Sequence, residues 1–345
     1  MEPRVRPDAQ RLLEILPRYD QAGPRYTSYP TAPAWRDDFG PDEARAALAR
    51  LAERAGEPLS LYVHVPFCAS LCHFCACNRV VTRKAELPER WLATIGAEAE
   101  ALRGAIGAER RLGQLHLGGG TPTHLAPEQL HRLFDAIRAC FEVAAGAEVS
   151  IEADPRVTDE GHVRALEALG FTRLSLGVQD FDPDVQAAIH RTQSVEQVAR
   201  LVDWARGAGL DGVNFDLIYG LPFQTEASFE RTLERVERLR PDRIALYSYA
   251  HVTWVAKQQR GFERGDLPGP ERKLRILVLA IDRLIDAGYE WVGMDHFVLP
   301  DDELAVAARE GRLHRNFMGY TTRPARDLVA AGPSGISELA EAYLQ

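Results

Sequence analysis

The chain of 345 residues, with 46% hydrophobic and 26% charged residues and no low-complexity tract, reads as a soluble globular protein large enough for one large α/β domain or two ordinary ones. Its net charge of -9 argues against a general nucleic-acid binder, whose phosphate contacts need a broad basic surface. No run approaches the roughly 20 apolar residues of a membrane span, and the start MEPRVRPDAQ has no apolar signal core. A cytoplasmic protein without membrane or nucleic-acid partners is expected.

Residues 1–55 read as an N-terminal extension: the Pro- and Gly-rich stretch AGPRYTSYPTAPAW, then an Ala-rich helical pattern from Pro41 to Ala55. Six β-type runs follow in order, LSLYVHV, GQLHLGG, AEVSIEA, TRLSLGV, GVNFDLI and DRIALYSYA. Helical patterns lie over 88–105, 127–141, 159–169, 194–208 and 225–239, each long enough to cross back over a sheet. This rhythm predicts an α/β fold with a parallel sheet, best fitted by a partial (β/α)6 barrel over residues 56–300, with 301–345 as a C-terminal segment closing it. Polar motifs fall where strands end, at GGGTPT after Leu115 and at YGLP after Phe215. Ligands collect at the carboxyl ends of strands in parallel α/β folds, so these motifs should share one mouth.

Four of the five cysteines fall within ten residues, spaced C-x3-C-x2-C-x-C directly after the first strand. That spacing suits a metal site in a reducing compartment better than a disulfide framework. Cys68, Cys72 and Cys75 can wrap a cuboidal [4Fe-4S] cluster and leave one iron without a protein sulfur, open to a substrate. Structural zinc is the alternative, but zinc ribbons pair two separated C-x2-C knuckles and no second knuckle exists here. Cys140, alone in LFDAIRACF, is expected to be a buried thiol. At GGGTPT the strand gives way to a helix, so its backbone amides are expected to be free for an anionic or dipolar ligand, with a bare glycine turn as the alternative.

The cysteine spacing after the first strand of a βα array resembles the radical S-adenosylmethionine superfamily. The strings PRYTSYPT, YVHVPFC, CACN, LGGGTPT, IEADPR, LSLGVQDF, DLIYGLP, YSYAH, GMDHF and LHRNF, between about residues 20 and 337, resemble the oxygen-independent coproporphyrinogen III oxidases, also called coproporphyrinogen dehydrogenases. The resemblance implies a cluster on Cys68, Cys72 and Cys75, two S-adenosylmethionine molecules, coproporphyrinogen III as substrate and an electron donor that the sequence does not identify, acting on a monomer. It implies that two propionates become vinyl groups by hydrogen abstraction and loss of CO2. Tyr62, Gly119, Glu152 and Ile336 would contact the first S-adenosylmethionine, with Glu152 accepting from ribose hydroxyls. Gly120, Thr121, Gln179, Arg191, Asp216 and Ala250 would face the second, with Phe74 stacking nearby. Without the family, Gln179 reads as a loop cap and Arg191 as a surface ion pair.

Cys77 separates this sequence from related haem chaperones, which usually carry an aromatic residue there and lack PRYTSYPT. A catalytic role is considered for Cys77 and for His64, with His64 and His296 alternatively hydrogen-bonded core histidines. Arg25 is the first candidate for holding a substrate propionate, with Arg79 and Arg83 behind it; a tether for the Pro-rich loop is the other reading of Arg25. The resembled family usually continues into a further, mainly helical domain beyond the point where this sequence stops. Met318 stands where the family commonly has Gln, and GPSGIS where GVSAIS is more usual. A haem chaperone and a haem-modifying radical enzyme remain as alternatives.

Overall fold

Along the six strands of the βα array apolar residues recur at alternate positions, and that alternation decides which face meets the helices. The computed structural model describes residues 8–19, 28–36, 38–54, 56–107, 110–210 and 212–345. The strands are β1 (Leu59–Val65), β2 (Arg111–Gly119), β3 (Glu142–Ala153), β4 (Arg173–Gln179), β5 (Gly212–Tyr219) and β6 (Arg243–Ser248). They pair in that order, all parallel. Leu61, Leu115, Leu117, Ile151, Leu174, Leu176, Val213, Phe215 and Ile244 on their outer face are almost wholly buried. Each such side chain contributes roughly 1.5–3 kcal/mol relative to exposure.

The covering helices are α1 (Pro41–Ala52), α2 (Glu86–Ile106), α3 (Pro127–Cys140), α4 (Glu160–Leu169), α5 (Val195–Gly207), α6 (Glu226–Leu239) and α7 (Pro270–Asp286). Local chemistry sets their ends. Asp159, Ser194 and Thr225 accept from backbone amides at the starts of α4, α5 and α6, and Gly170 ends α4 in the left-handed region. Cys140, the last residue of α3, is buried in the core.

Beyond α7, β7 (Glu290–Gly293) and β8 (His296–Val298) extend the β6 edge antiparallel. On the opposite edge β9 (Leu328–Ala331) pairs parallel with β1 and leads into β10 (Ser337–Leu339) and β11 (Ala342–Leu344). The sheet order is β11-β10-β9-β1-β2-β3-β4-β5-β6-β8-β7, an arc whose two ends do not pair with each other. The C-terminal segment also covers the lower end of the arc. There Arg243 meets Asp302 at 2.8 Å and Glu303 at 3.1 Å, Arg173 meets Glu303 at 3.2 Å and Glu148 at 3.2 Å, and Arg323 meets Glu303 at 3.0 Å. Near the chain start, Trp35 stacks on Tyr343 with ring centroids 5.5 Å apart, fixing part of the Pro-rich stretch to the β10–β11 hairpin. Among the described residues no helix is long and apolar enough to cross a membrane.

Candidate active site

The face of the arc away from the helices is polar, because the alternate positions carry Tyr62 and His64 on β1, Gln114 and His116 on β2, Ser150 and Glu152 on β3, Ser175 on β4, and Asn214 and Asp216 on β5. These side chains bond across the strands. His116 Nδ1 lies 2.8 Å from Ser150 Oγ, and its Nε2 is 3.6 Å from Glu152 Oε1. Tyr62 stacks on His116 at 5.9 Å and meets the edge of Phe317 at 5.5 Å. Ser175 Oγ donates to Asp216 at 3.0 Å, while Asn214 Nδ2 donates to both Ser175 and Asp216. Burial, then the neighbouring Glu152, pushes the Asp216 carboxyl up to about 7, against the pull of the Ser175 and Asn214 hydrogen bonds.

At the carboxyl end of β1 the chain turns into the cysteine loop. His64 Nε2 lies 2.9 Å from the Asn78 carbonyl, which can only accept, so that nitrogen carries the proton and Nδ1 accepts from Tyr62 Oη at 3.2 Å. Both ring nitrogens are thus engaged, Nε2 tying the far end of the cysteine loop to β1 and Nδ1 holding Tyr62 on the same strand. The geometry favours the hydrogen-bonded core histidine over a catalytic one. His296 likewise lies against a carboxylate, 2.6 Å from Asp295.

The expectation of free amides in GGGTPT is overturned. Gly119 N–H donates to Glu152 Oε2 at 3.0 Å, Gly120 N–H to the Val65 carbonyl at 2.8 Å, and Thr121 N–H to the Phe67 carbonyl at 2.7 Å. Two parallel chain segments lie so close here that their backbones satisfy one another. Gly119 has φ +113, and a Cβ there would stand 2.6 Å from the His64 ring; a Cβ on Gly120 would meet Pro66 backbone at 2.7 Å. The glycines therefore serve close approach of β2 to the cysteine loop.

Cys68 faces this junction, with Cys72 and Cys75 close to it. Thr121 Oγ1 lies 3.6 Å from Cys68 Sγ, while Arg156 and Arg191 each place a guanidinium nitrogen 3.5 Å from Cys72 Sγ. Burial raises the Cys68 thiol to about 11, with the other two cysteines adding to the rise, so the three sulfurs sense one another. A hydrogen bond from the Cys77 side chain, aided by Arg79 and Arg191, brings Cys75 down to about 6. Cys77 is exposed, and its N–H also points at Cys75 Sγ at 3.4 Å. Among the described residues no three His, Cys, Asp or Glu side chains are arranged to hold a single metal ion. The fit to an iron-sulfur cluster rests on the donor set, three thiols on one short loop with cations and hydrogen-bond donors turned toward their sulfurs.

Gln179 closes β4 with φ +66 after a bulge, which turns its side chain back over Gly177. Beneath it the buried Asp180 accepts from Thr232, Gln224 and the Asp182 amide, and burial lifts its carboxyl to about 6. Arg191 is buried, donating through Nε and Nη2 to the Gly177 carbonyl and through Nη1 to Asp154 at 3.0 Å. It is no surface ion pair. Phe74 and the exposed Ala250 are joined by the buried Gln259, whose Nε2 donates to the Phe74 carbonyl at 2.8 Å and the Ala250 carbonyl at 3.1 Å. Ile336 is buried just ahead of β10, and Ser334 in the same loop accepts from Asn78 at 3.0 Å. Met318 sits in the hairpin whose Phe317 abuts Tyr62, its N–H on Asn316 Oδ1. Arg25 lies outside the described residues, Arg79 donates to the Cys77 carbonyl, and Arg83 is exposed.

Sequence reasoning missed His116, Ser150, Ser175, Asn214 and Gln259. The first four are legible as the polar alternates of strands already recognised; Gln259 has no sequence signal, because its role comes from bridging two distant loops.

Comparison with known proteins follows the same outline. Residues 62–236 match the Radical SAM superfamily. The chain is 48% identical over 333 residues to the oxygen-independent coproporphyrinogen III oxidase of Escherichia coli (strain K12), covering 96% of this chain and 72% of that protein. It is 43% identical over 339 residues to the protein of the same name from Synechocystis, covering 98% and 72%. The solved structure of the Escherichia coli coproporphyrinogen III oxidase, described as a radical SAM enzyme, superposes with a TM-score of 0.88 at 47% identity, over 92% of this chain and 72% of that one.

Proposed function

Since this chain belongs to the radical SAM superfamily and, within it, to the oxygen-independent coproporphyrinogen III oxidases, we propose that it converts coproporphyrinogen III propionates to vinyl groups, giving protoporphyrinogen IX in anaerobic haem biosynthesis. The observation that carries this reading is the junction of the cysteine loop with the Gly118–Thr121 turn, set over a polar barrel wall. When bound, the [4Fe-4S] cluster would supply one electron for reductive cleavage of S-adenosylmethionine, the chemistry by which a hydrogen atom is taken from a propionate; loss of CO2 to leave the vinyl group then passes one electron to an external one-electron acceptor.

Cys68, Cys72 and Cys75 hold the cluster, and Cys77 steadies the Cys75 sulfur. Glu152 is aimed by Gly119 N–H and His116 so that its remaining lone pairs face the mouth, where ribose hydroxyls would donate to them. Tyr62 lies beside Glu152, both against Gly118, and Ile336 is assigned to the same ligand. A second S-adenosylmethionine is proposed between Gln179 at the end of β4 and Asp216 on the neighbouring β5, Gly120 and Thr121, and the Phe74–Ala250 bridge. Asp216 near pH 7 can present a protonated carboxyl there. Arg191 reaches this region but spends most of its donors on Gly177, Asp154 and Cys72. Residues 56–300 are assigned as the cofactor-binding barrel and 301–345 as its brace, with Arg25 of residues 1–55 as the candidate for holding a substrate propionate. The setting is a monomer in a reducing cytoplasm fed by an external one-electron donor.

Iron and sulfide analysis of anaerobically reconstituted protein tests the site. Cys68→Ala, Cys72→Ala and Cys75→Ala should each lose the cluster, and Cys77→Ala should keep it. Full iron in any of the first three overturns the ligand assignment, as iron loss in Cys77→Ala would. Equilibrium binding of S-adenosylmethionine to the loaded wild type should give two equivalents; one equivalent removes the second site.

A further inference from the structure

Cys72 is the one cluster cysteine that is buried, and two guanidinium groups converge on its sulfur, Arg156 Nη2 and Arg191 Nη1, each at 3.5 Å. Both are tethered to a single carboxylate. Arg156 grips Asp154 through Nε at 3.0 and 3.1 Å and Nη2 at 2.6 Å, and Arg191 Nη1 reaches the same Asp154 Oδ2 at 3.0 Å. Asp154 is held in turn, its N–H directed at Thr123 Oγ1 and its carbonyl accepting from Thr158 Oγ1 at 2.8 Å. The side chains of Asp154, Arg156 and Arg191 are 7%, 18% and 8% exposed, so water screens the cluster of charges poorly. One arginine suffices to neutralise Asp154. The second leaves a net positive charge, and the group it faces is the Cys72 sulfur.

Resting on the cluster reading of the cysteine loop, we propose that Asp154 and Arg156 form with Arg191 a clamp that positions Cys72 and sets the reduction potential of the cluster. Reduction adds one negative charge to the cluster and its thiolates. Guanidinium N–H groups directed at a ligand sulfur stabilise that charge, and a fixed cation beside it favours the reduced form. Arg156 is thus a positioning residue, acting on the electron's acceptor through Cys72. Arg191 also couples the clamp to the Gly177 carbonyl, beside Asp216 in the register of β4 and β5.

The test is a mediated redox titration of the cluster-loaded, substrate-free full chain, followed by electron paramagnetic resonance, with iron, sulfide and melting temperature measured alongside. Arg156→Gln should keep the three cysteine ligands and its cluster, yet show a midpoint potential below wild type and a smaller fraction reduced by dithionite. Arg156→Lys, which keeps the charge and loses the fork to Asp154, should fall between the two. A fully loaded Arg156→Gln with the wild-type potential overturns the proposal and leaves Arg156 as a loop brace. Should Arg156→Gln not assemble a cluster, Arg156→Lys decides: a lowered potential supports the clamp, and the wild-type potential overturns it. A wild type that takes up no cluster defeats the reading of the loop itself, and the clamp with it.

Discussion

Asp216 holds its proton to a pH at which an ordinary carboxyl group is ionised, because it is buried on a poorly solvated wall and, second, lies near Glu152. Below about pH 4 both the folded and unfolded chains are protonated at this residue, and its contribution to stability is fully present. Between the ordinary value of 3.8 and the folded value of about 7 the unfolded chain releases the proton and the folded chain keeps it, so stability is lost as pH rises through that window. Thermal melting of wild type and Asp216→Asn from pH 4 to 8 should show the wild type losing ground to the variant as pH rises; parallel curves would contradict the shift. Single residues were unevenly legible in the sequence. Cys68, Cys72 and Cys75 stand out in the sequence through their spacing, whereas Glu152 is singled out only through the family resemblance. His116 and Ser150 were passed over because a polar residue on a strand is ordinary until its register shows it facing Tyr62 and Glu152.

The turn after β2 shows how an element is fixed by what it must approach. Gly119 at φ +113 lies against the His64 ring, and its amide anchors Glu152, so Gly119→Ala forces both a strained backbone and a displaced histidine. The variant should be destabilised by about 1–3 kcal/mol and should bind S-adenosylmethionine at least about tenfold more weakly, the loss of one charge-assisted hydrogen bond being worth that much. Denaturant titration and equilibrium binding check the two effects separately, and wild-type affinity would show that the Glu152–Gly119 contact does not shape the site. The motif was legible, but its amides were read as free, since a glycine-rich strand-to-helix turn presents the same string whether its donors face a ligand or a neighbouring strand. The βα elements themselves followed from periodicity: α2 and α6 differ from the expected 88–105 and 225–239 only at their ends. The helix α7 shows the same amphipathic pattern and was nonetheless missed, whereas β7 to β11 are too short for any local pattern: β8 and β9 exist through pairing with the distant β6 and β1, and β7 and β11 only add hairpin partners to β8 and β10.

In the molecule as a whole, the parallel arc gathers strand ends from β1 to β6 into one mouth, and the C-terminal segment braces both its open edge and its lower end. The order of the six parallel strands was legible from the βα rhythm. The pairing of β9 with β1 was not, because a contact between residues 62 and 330 leaves no trace in local sequence. The chain spans 72% of the length of the Escherichia coli relative, and the barrel with its cysteine loop falls inside the shared part. The central claim is that this site decarboxylates a tetrapyrrole, as distinct from binding one. Its most direct test is mass analysis of the tetrapyrrole after anaerobic incubation of reconstituted protein with coproporphyrinogen III, S-adenosylmethionine, a reductant and a one-electron acceptor. The predicted result is conversion of two propionates to vinyl groups with release of CO2 and formation of 5′-deoxyadenosine. A tetrapyrrole that keeps all four carboxylates while the loaded protein cleaves S-adenosylmethionine, or binds haem, would contradict it.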